Sequence, residues 1–295
     1  MNGILLIDKP KGYTSFDIVA VTRKLISQKK IGHTGTLDPN ATGVLPLLIG
    51  NAAKAQDIIP NHDKEYIAEF KLGITTDTLD IWGEIKSEKK TSVKKSEVES
   101  ALEKFRGEIE QLPPMYSAVS VNGQRLYSLA RQGIEIERKP RKVTVYNLEL
   151  LGFNDEEQVG ALRILCSKGT YIRTVIDDLG AALGTGAVMT SLDRTMACGF
   201  LKESCIPLKK LKSLSPAEIE EKLLTTESLF ENYDELNVSK AQAERFFNGG
   251  ALDIARTSLR DKDNLDEKIY RIKNDGRFYG LGIVKDNSIK IYKHF

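Results

Sequence analysis

The feature that most restricts how this chain can fold is the run GHTGTLDPNATG at residues 32–43. It holds three glycines, three threonines and one proline, and these residue types favour turns over a helix or a regular strand. The run therefore predicts an irregular loop, which is where a rigid scaffold usually presents chemical groups. Asp38 is its only acid, and Pro39 restricts the backbone around it. Asp38 is thus either a turn former at the surface or a reactive carboxylate.

The composition excludes several classes of protein. The chain has 295 residues, 41% of them hydrophobic, which suffices for one large domain and a small one. Three scattered histidines and three cysteines without a C-x-x-C pair argue against a structural zinc site and a disulfide framework. The sequence has no glycine-rich phosphate-binding motif. We therefore expect no metal and no cofactor, so that side chains alone carry the chemistry.

The sequence gives no indication of export or of membrane insertion. The start, MNGILLID, has no basic segment ahead of its apolar residues. No apolar run approaches the length of a membrane span. We therefore expect a cytoplasmic protein without membrane attachment.

Charge is distributed unevenly along a chain whose net charge is only +2. Residues 111–146 carry six basic side chains against two acidic ones, and residues 86–95 carry five lysines against one acid. Acids collect instead between residues 218 and 235. Basic sectors on a nearly neutral protein suit a polyanion bound to one face, although solvated surface would explain the same pattern.

Hydrophobic periodicity predicts both strands and helices. Residues 3–8 and 64–72 have the pattern of strands, and the second places Tyr66 on a face with core residues. Thr14 and Asp17 form a capping box that begins a helix. Further helices are predicted at 52–59, 125–132 and 174–183. Three more helices are predicted from their caps: one from Ser96 with Glu99, one from Ser215 and one from Ser239. Further strands are predicted at 142–153 and 161–167.

A domain boundary is predicted near residue 237. Beyond an acidic stretch come a short helix and three β-rich runs, at 269–273, 278–284 and 288–292. The segments between these runs, Asn-Asp-Gly and Lys-Asp-Asn, are typical of hairpin turns. We expect a larger body of helices and strands at 1–237 and a small β-rich module at 238–295.

Polar residues recur in apolar surroundings in four segments, namely 32–43, 63–66, 166–173 and 191–194. Together these segments could supply an acid, an arginine and two aromatic rings to one site. A carboxylate beside an arginine stays ionised, which suits a nucleophile. Tyrosines suit stacking on a base and proton transfer. Composition alone does not bring the four segments together in space.

Five collinear motifs resemble those of the bacterial tRNA pseudouridine-55 synthases of the TruB family. They are LLIDKPKG, GHTGTLDPNATGVL, DKEYIAEFKLGITTDTLDIWGE, PPMYSAVSVNGQRLYSLARQG and CSKGTYIRTVIDDLG. The resemblance covers nearly all of residues 3–200. It implies an α+β fold, with a mixed, mainly antiparallel sheet in the catalytic domain at 1–237 and a PUA-like RNA-binding domain at 238–295. It also implies a cofactor-free isomerisation, in which one uracil in the TΨC arm of tRNA is detached, turned and rejoined to its ribose through carbon.

The same resemblance implies roles for individual residues. Asp38 falls on the catalytic aspartate, and Arg173 falls on the arginine that pairs with it. Tyr66 falls on the tyrosine that stacks on the target base and takes part in proton transfer. The other residues matched to substrate binding are His33, which helps to hold the RNA, Tyr171 and Leu192 of the uridine pocket, and Lys9 and Pro10 of the amino-terminal pocket motif.

The implied partner is tRNA, and residues 111–146 resemble the insertion that closes over its stem-loop. We expect a monomer that requires no protein partner. Two alternatives stay open: a guide-RNA-dependent synthase of the archaeal and eukaryotic branch, which needs partner proteins, and a tRNA-binding or folding protein without catalysis. The short segment before Lys9 favours the stand-alone enzyme, and the presence of Asp38, Tyr66 and Arg173 favours catalysis.

Overall fold

A computed structural model describes residues 1–121 and 123–295 of the chain. Within these residues the strands are β1 (Gly3–Lys9), β2 (Ile31–His33), β3 (Thr42–Ile49), β4 (Lys64–Leu72), β5 (Ile74–Thr76), β6 (Ile85–Glu88), β7 (Gly107–Gln111), β8 (Ser120–Val121), β9 (Gln124–Arg125), β10 (Arg141–Asn154), β11 (Val159–Cys166), β12 (Ala187–Ala197), β13 (Phe200–Leu201), β14 (Ile206–Pro207), β15 (Asp234–Asn237), β16 (Leu252–Asp253), β17 (Ile269–Asn274), β18 (Arg277–Lys285) and β19 (Ser288–Lys293). The α-helices of the same residues are α1 (Ser15–Ile26), α2 (Lys95–Leu102), α3 (Leu126–Ala130), α4 (Ile172–Ala182), α5 (Leu208–Leu211), α6 (Pro216–Glu221) and α7 (Lys240–Phe247). No helix in this part of the chain is long and apolar enough to cross a membrane.

Ten strands form the main sheet. Its consecutive neighbours are β14–β1–β3–β12–β4–β11–β10–β7, while β2 pairs with β3 and β13 pairs with β12. The pairs β1 with β14 and β3 with β12 are parallel. The long pairs, such as β4 with β11 and β4 with β12, are antiparallel. The expected mixed, mainly antiparallel sheet is therefore confirmed.

Strand β4 shows how the sequence selects the buried face of this sheet. Tyr66, Ala68, Phe70 and Leu72 are buried and alternate with more exposed residues. A period of two places all four on one face. Helices α2 and α4 add their buried side chains to the same hydrophobic cluster, so α-helices cover this face of β4. The predicted strand at 64–72 is confirmed.

The ends of the 32–43 run are more regular than expected. Gly32 and His33 belong to β2, and Thr42 and Gly43 belong to β3, so only residues 34–41 are irregular. Gly43 has φ +103°, and a Cβ there would lie 2.2 Å from the Arg194 carbonyl oxygen. Glycine therefore lets β3 approach β12 closely enough to pair. The prediction of irregular structure is wrong at the two ends because tertiary pairing overrides the local turn preference.

Local hydrogen bonding confirms the predicted capping boxes of α1, α6 and α7. The cap predicted at Ser96 is wrong, because α2 begins at Lys95 and the Glu97 carboxylate accepts the Lys94 N–H at 2.8 Å. The helix predicted at 52–59 is a 3₁₀-helix, Gly50–Ala55. Its Ala52 and Ala55 are fully buried, and a spacing of three matches three residues per turn.

The carboxyl-terminal sheet has the order β15–β17–β18–β19–β16 and shares a hydrophobic cluster with α7. Its first strand, β15, pairs in parallel with β17, so this sheet includes residues 234–237, which precede the expected boundary. A second cluster packs the two sheets together, with Ile4 and Leu48 from the main sheet and Phe278 and Leu281 from the carboxyl-terminal one. The small sheet is therefore seated directly on the larger one.

We expect Phe70→Ala to lower the free energy of unfolding by about 3–5 kcal/mol. Phe70 is a fully buried residue of β4, and its ring centroid is 6.1 Å from that of Phe153. Chemical denaturation followed by circular dichroism measures the change. Phe16→Ala is the control, because Phe16 is 65% exposed and should change the value by less than about 1 kcal/mol. A similarly small effect of Phe70→Ala would contradict the packing described here.

Candidate active site

A cavity of about 520 Å³ lies where the loop after β2 meets β4, β12 and the start of α4. Five residues predicted for the site, Asp38, Tyr66, Tyr171, Arg173 and Leu192, lie in its wall. The structure thus brings together residues that come from four separate parts of the chain. The described lining consists of 34–38, Gln56, Asp57, His62, Lys64, Tyr66, Ser117, Ala118, 168–173 and Leu192.

An ion pair between Asp38 and Arg173 lies in this wall. The Arg173 Nε is 3.0 Å from Asp38 Oδ2. The terminal nitrogens of Arg173 donate to backbone carbonyls, Nη1 to Thr78 and Nη2 to Tyr116, each at 2.8 Å. The Arg173 side chain is 6% exposed, whereas that of Asp38 is 41% exposed. Three partners therefore fix the guanidinium, and it holds a carboxylate that remains accessible.

A second acid, Asp80, stands behind the same arginine. Its Oδ2 is 4.0 Å from Arg173 Nε, while its Oδ1 accepts hydrogen bonds from the Thr78 hydroxyl at 2.7 Å and the Trp82 N–H at 3.2 Å. Burial is the main cause that raises the pKa of Asp80 above its usual value. Sequence reasoning assigned Asp80 no role, although it lies in the quoted motif DKEYIAEFKLGITTDTLDIWGE.

Tyr66 and Leu192 reach the cavity from the neighbouring strands β4 and β12. Both side chains are mostly buried, at 7% and 8% exposure. Burial is the main cause that raises the pKa of Tyr66 to about 12, so its phenol is protonated at neutral pH. An aromatic ring beside an aliphatic side chain suits a planar base, because stacking needs only an accessible ring face.

The loop that carries Asp38 is fixed by buried polar side chains. The Ser15 Oγ accepts the Leu37 N–H at 2.8 Å. Arg194 is fully buried, and it donates from Nε to the Val44 carbonyl at 2.7 Å and from Nη2 to the Gly35 carbonyl at 3.1 Å. Sequence reasoning grouped Arg194 with a polar segment but gave it no role. A signal was present, because a residue two positions after Leu192 points to the same face of a strand.

Lys9 is not among the described residues that line the cavity. It is fully buried, and its Nζ donates to the carbonyls of Tyr13 at 2.7 Å, Pro10 at 3.0 Å and Pro39 at 3.2 Å. Burial lowers its pKa to about 8, so the ammonium is mostly charged at neutral pH. The geometry therefore gives Lys9 the role of tying β1 to the residue after Asp38, and substrate contact stays a prediction.

Pro10 and His33 are likewise missing from the described lining of the cavity. Pro10 lines a separate surface pocket with Tyr13. His33 ends β2, and burial, with the nearby Arg194 charge, lowers its pKa. Its neighbour Thr34 lines the cavity instead. For Pro10 and His33, too, contact with RNA stays a prediction.

Cationic residues that sequence reasoning did not select stand at the cavity. Lys168 is exposed, and the buried Lys64 donates from Nζ to the His62 carbonyl at 2.6 Å. Burial is the main cause that lowers the pKa of His62, followed by the Lys168 charge. Positive charge beside an accessible carboxylate suits a ligand that carries phosphates.

A profile described as "TruB family pseudouridylate synthase (N terminal domain)" matches residues 23–172. The matched residues include the loop with Asp38 and the strand with Tyr66. The chain belongs to the TruB family of pseudouridylate synthases. It is therefore a pseudouridine synthase, and the resemblance drawn from the five sequence motifs is confirmed.

The chain also resembles known proteins over nearly its whole length. It is 40% identical over 298 residues to "tRNA pseudouridine synthase B" of Clostridium tetani, with 99% of each chain covered. It is 42% identical over 294 residues to the protein of that name from Clostridium acetobutylicum, again with 99% of each covered. Among solved structures, a chain of a crystal structure of a Cbf5-Nop10-Gar1 complex superimposes with a TM-score of 0.74 at 24% identity, covering 99% of this chain and 84% of that one. The last likeness concerns the fold alone.

We expect Arg173→Lys to lower the rate of pseudouridine formation by about 100-fold. A lysine keeps the charge but cannot reach Asp38, Thr78 and Tyr116 together, because a single ammonium replaces a planar fork. Single-turnover kinetics measure the rate, and filter binding measures the RNA affinity. We expect the affinity to change by less than about threefold, since a buried guanidinium makes no phosphate contact. An unchanged rate would contradict the need for the three-way contact.

We expect Lys9→Met to slow the reaction without changing how RNA affinity depends on salt. The buried ammonium holds Pro39, within the loop that carries Asp38, and does not meet solvent. Loss of an exposed lysine that contacts one phosphate reduces the slope of log K against log salt by about 0.7–0.9. Lys168→Met is the comparison, and its slope should fall by about that amount. If the slope fell equally in both variants, Lys9 would instead be a residue that contacts a phosphate directly.

Proposed function

We propose that this enzyme converts uridine 55 of tRNA to pseudouridine, with Asp38 as the nucleophile. The observation that carries the proposal is the accessible Asp38 carboxylate, held at 3.0 Å by buried Arg173 in a cavity with Tyr66. Relatives at 40–42% identity over the full length have the name tRNA pseudouridine synthase B, which supports tRNA as the substrate.

The reaction rearranges one nucleoside and consumes no other reagent. The N1–C1′ bond breaks, a C5–C1′ bond forms, C5 loses its proton and N1 gains one. Arg173 contacts Oδ2 of Asp38, which leaves Oδ1 for bond formation to either the ring or the sugar of the uridine. The guanidinium holds the carboxylate in one orientation, which is what a nucleophile of this kind requires.

The target base must leave its stack to reach Asp38. Extrusion of a base costs a few kcal/mol, and stacking on an aromatic ring returns about 1–3 kcal/mol. Tyr66 supplies that ring, with Leu192 and Tyr171 as further walls of the proposed uridine pocket. Tyr66 acts in this proposal through its ring, because its hydroxyl already carries a proton in the resting enzyme.

The basic insertion at 111–146 supports a stem-loop as the ligand. Its Ser117 and Ala118 line the cavity, so it reaches the proposed site of the flipped base. Its Arg125 and Arg131 are exposed and suit the phosphate backbone. In this proposal the catalytic domain is 1–237, and the PUA-like module at 238–295, together with β15, contacts tRNA outside the TΨC arm.

We propose further that the enzyme acts as a cytoplasmic monomer, without a guide RNA, a protein partner or a cofactor. The solved neighbours include a complex with Nop10 and Gar1. The matched chain of that complex is 24% identical to this chain. This is well below the 40% identity of a full-length relative named for tRNA. The chain thus lies closer in sequence to relatives whose name carries no partner protein.

The proposal predicts that purified enzyme alone forms pseudouridine at position 55 of unmodified tRNA. Tritium release from 5-³H-uridine measures turnover, and chemical mapping of pseudouridine locates the product. Asp38→Asn should lose at least about 1,000-fold in rate while RNA still binds, because the amide is a poor nucleophile. Asp155→Asn, at a turn outside the lining of the cavity, is the matched control and should retain the wild-type rate.

Three results would contradict the proposal. If stoichiometric wild-type enzyme binds RNA but forms no product, the proposed activity on tRNA is wrong. If product forms at a uridine other than 55, the proposed target position is wrong. If Asp38→Asn reacts at a rate close to wild type, Asp38 is not the nucleophile.

A further inference from the structure

A buried glutamine that none of the roles above uses holds the backbone of Tyr171. Gln111 is the last residue of β7 and is only 2% exposed. Its Oε1 accepts the Tyr171 N–H at 2.7 Å, and its Nε2 donates to the Tyr171 carbonyl at 3.1 Å. One side-chain amide therefore satisfies both backbone groups of one residue, as a paired strand would.

This contact fixes the beginning of α4. Tyr171 is the residue before the helix, and in the described structure its side chain makes no capping hydrogen bond. Arg173 is the second residue of α4, so the start of the helix sets where its guanidinium lies. An uncapped first turn leaves backbone N–H groups without partners and lets the end fray. Gln111 supplies, from a neighbouring strand, the anchor that the helix itself lacks.

The segment after Gln111 contacts the same helix start a second time. The Tyr116 carbonyl accepts the hydrogen bond from Arg173 Nη2 at 2.8 Å. Residues 111–116 therefore hold the start of α4 at two points, one on the backbone of Tyr171 and one on the side chain of Arg173. The basic insertion begins with this segment, where the chain leaves the main sheet. The base of the insertion therefore contacts the start of α4, which carries the Arg173 guanidinium that pairs with Asp38.

We infer that Gln111 is a positioning residue for pseudouridine formation. It clamps the Tyr171 backbone, so that the Tyr171 ring lines the cavity and the Arg173 guanidinium meets Asp38. This inference rests on the proposed function, because it takes Asp38 and Arg173 to be the catalytic pair. Gln111 itself touches no substrate in this role.

The test is Gln111→Met, which keeps the length of the side chain and removes both hydrogen bonds. We expect the single-turnover rate at saturating enzyme to fall by about 10- to 100-fold, because a displacement of about 1 Å at a reacting group costs that much. The dissociation constant for tRNA should change by less than about threefold, since no phosphate contact is lost. A loss confined to tRNA affinity would overturn the inference.

The chain offers a closely matched control in Gln158. This glutamine is 5% exposed, and its side-chain amide makes the same two hydrogen bonds with the Val93 backbone, each at 2.9 Å. It is not among the described residues that line the cavity. Gln158→Met should lower thermal stability as Gln111→Met does, yet keep the rate within about twofold of wild type. Equal rate losses in the two variants would reduce Gln111 to a general structural role and overturn the inference.

If Gln111→Met does not fold, Gln111→Glu decides the matter. Glutamate keeps the size and the acceptor for the Tyr171 N–H but loses the donor for its carbonyl. We expect a folded protein with a smaller, still measurable loss of rate at unchanged tRNA affinity. A wild-type rate in any folded Gln111 variant overturns the inference. Failure of the proposed function is distinct, because then wild-type enzyme forms no product or Asp38→Asn reacts normally, whatever Gln111 does.

Discussion

The buried guanidinium of Arg173 is the interaction on which the site depends. A charge taken out of water is costly unless every donor finds a partner. Here the partners come from three parts of the chain: the Asp38 loop, the Thr78 turn after β5, and Tyr116 in the insertion. Because one planar group needs all three at once, the parts must assemble together. The Asp38 carboxylate is thereby held by the same guanidinium that contacts the base of the insertion.

Much of the fold follows from local sequence signals. Alternation in β4 predicted its inward face, because side-chain direction in a strand depends only on parity. The capping boxes of α1, α6 and α7 were predictable, because both partners lie within three residues. The loop around Asp38 was recognisable from its turn-forming residues and its family motif. In each case the information needed is contained within a few consecutive residues.

The residues that hold the site in place could not be predicted in this way. Arg194 donates to the Val44 carbonyl across 150 positions of sequence, and Gln111 pairs with Tyr171 across 60. Lys9 illustrates the reverse case, because its motif suggested substrate contact while burial turns it toward the Pro39 carbonyl. Such roles depend on which strands become neighbours. That information lies in the topology of the sheet, where β3 and β12 meet although residues 50–186 separate them in sequence.

The apolar cluster between the two sheets has a mechanical consequence. Phe278 and Leu281 of the carboxyl-terminal sheet share a hydrophobic cluster with Ile4 and Leu48, which belong to β1 and β3. Close-packed interiors transmit displacement instead of absorbing it. The small sheet is thus held at a fixed distance from the Asp38 loop, which leads into β3. A ligand that contacts both the small sheet and the Asp38 loop must therefore match a fixed span between them.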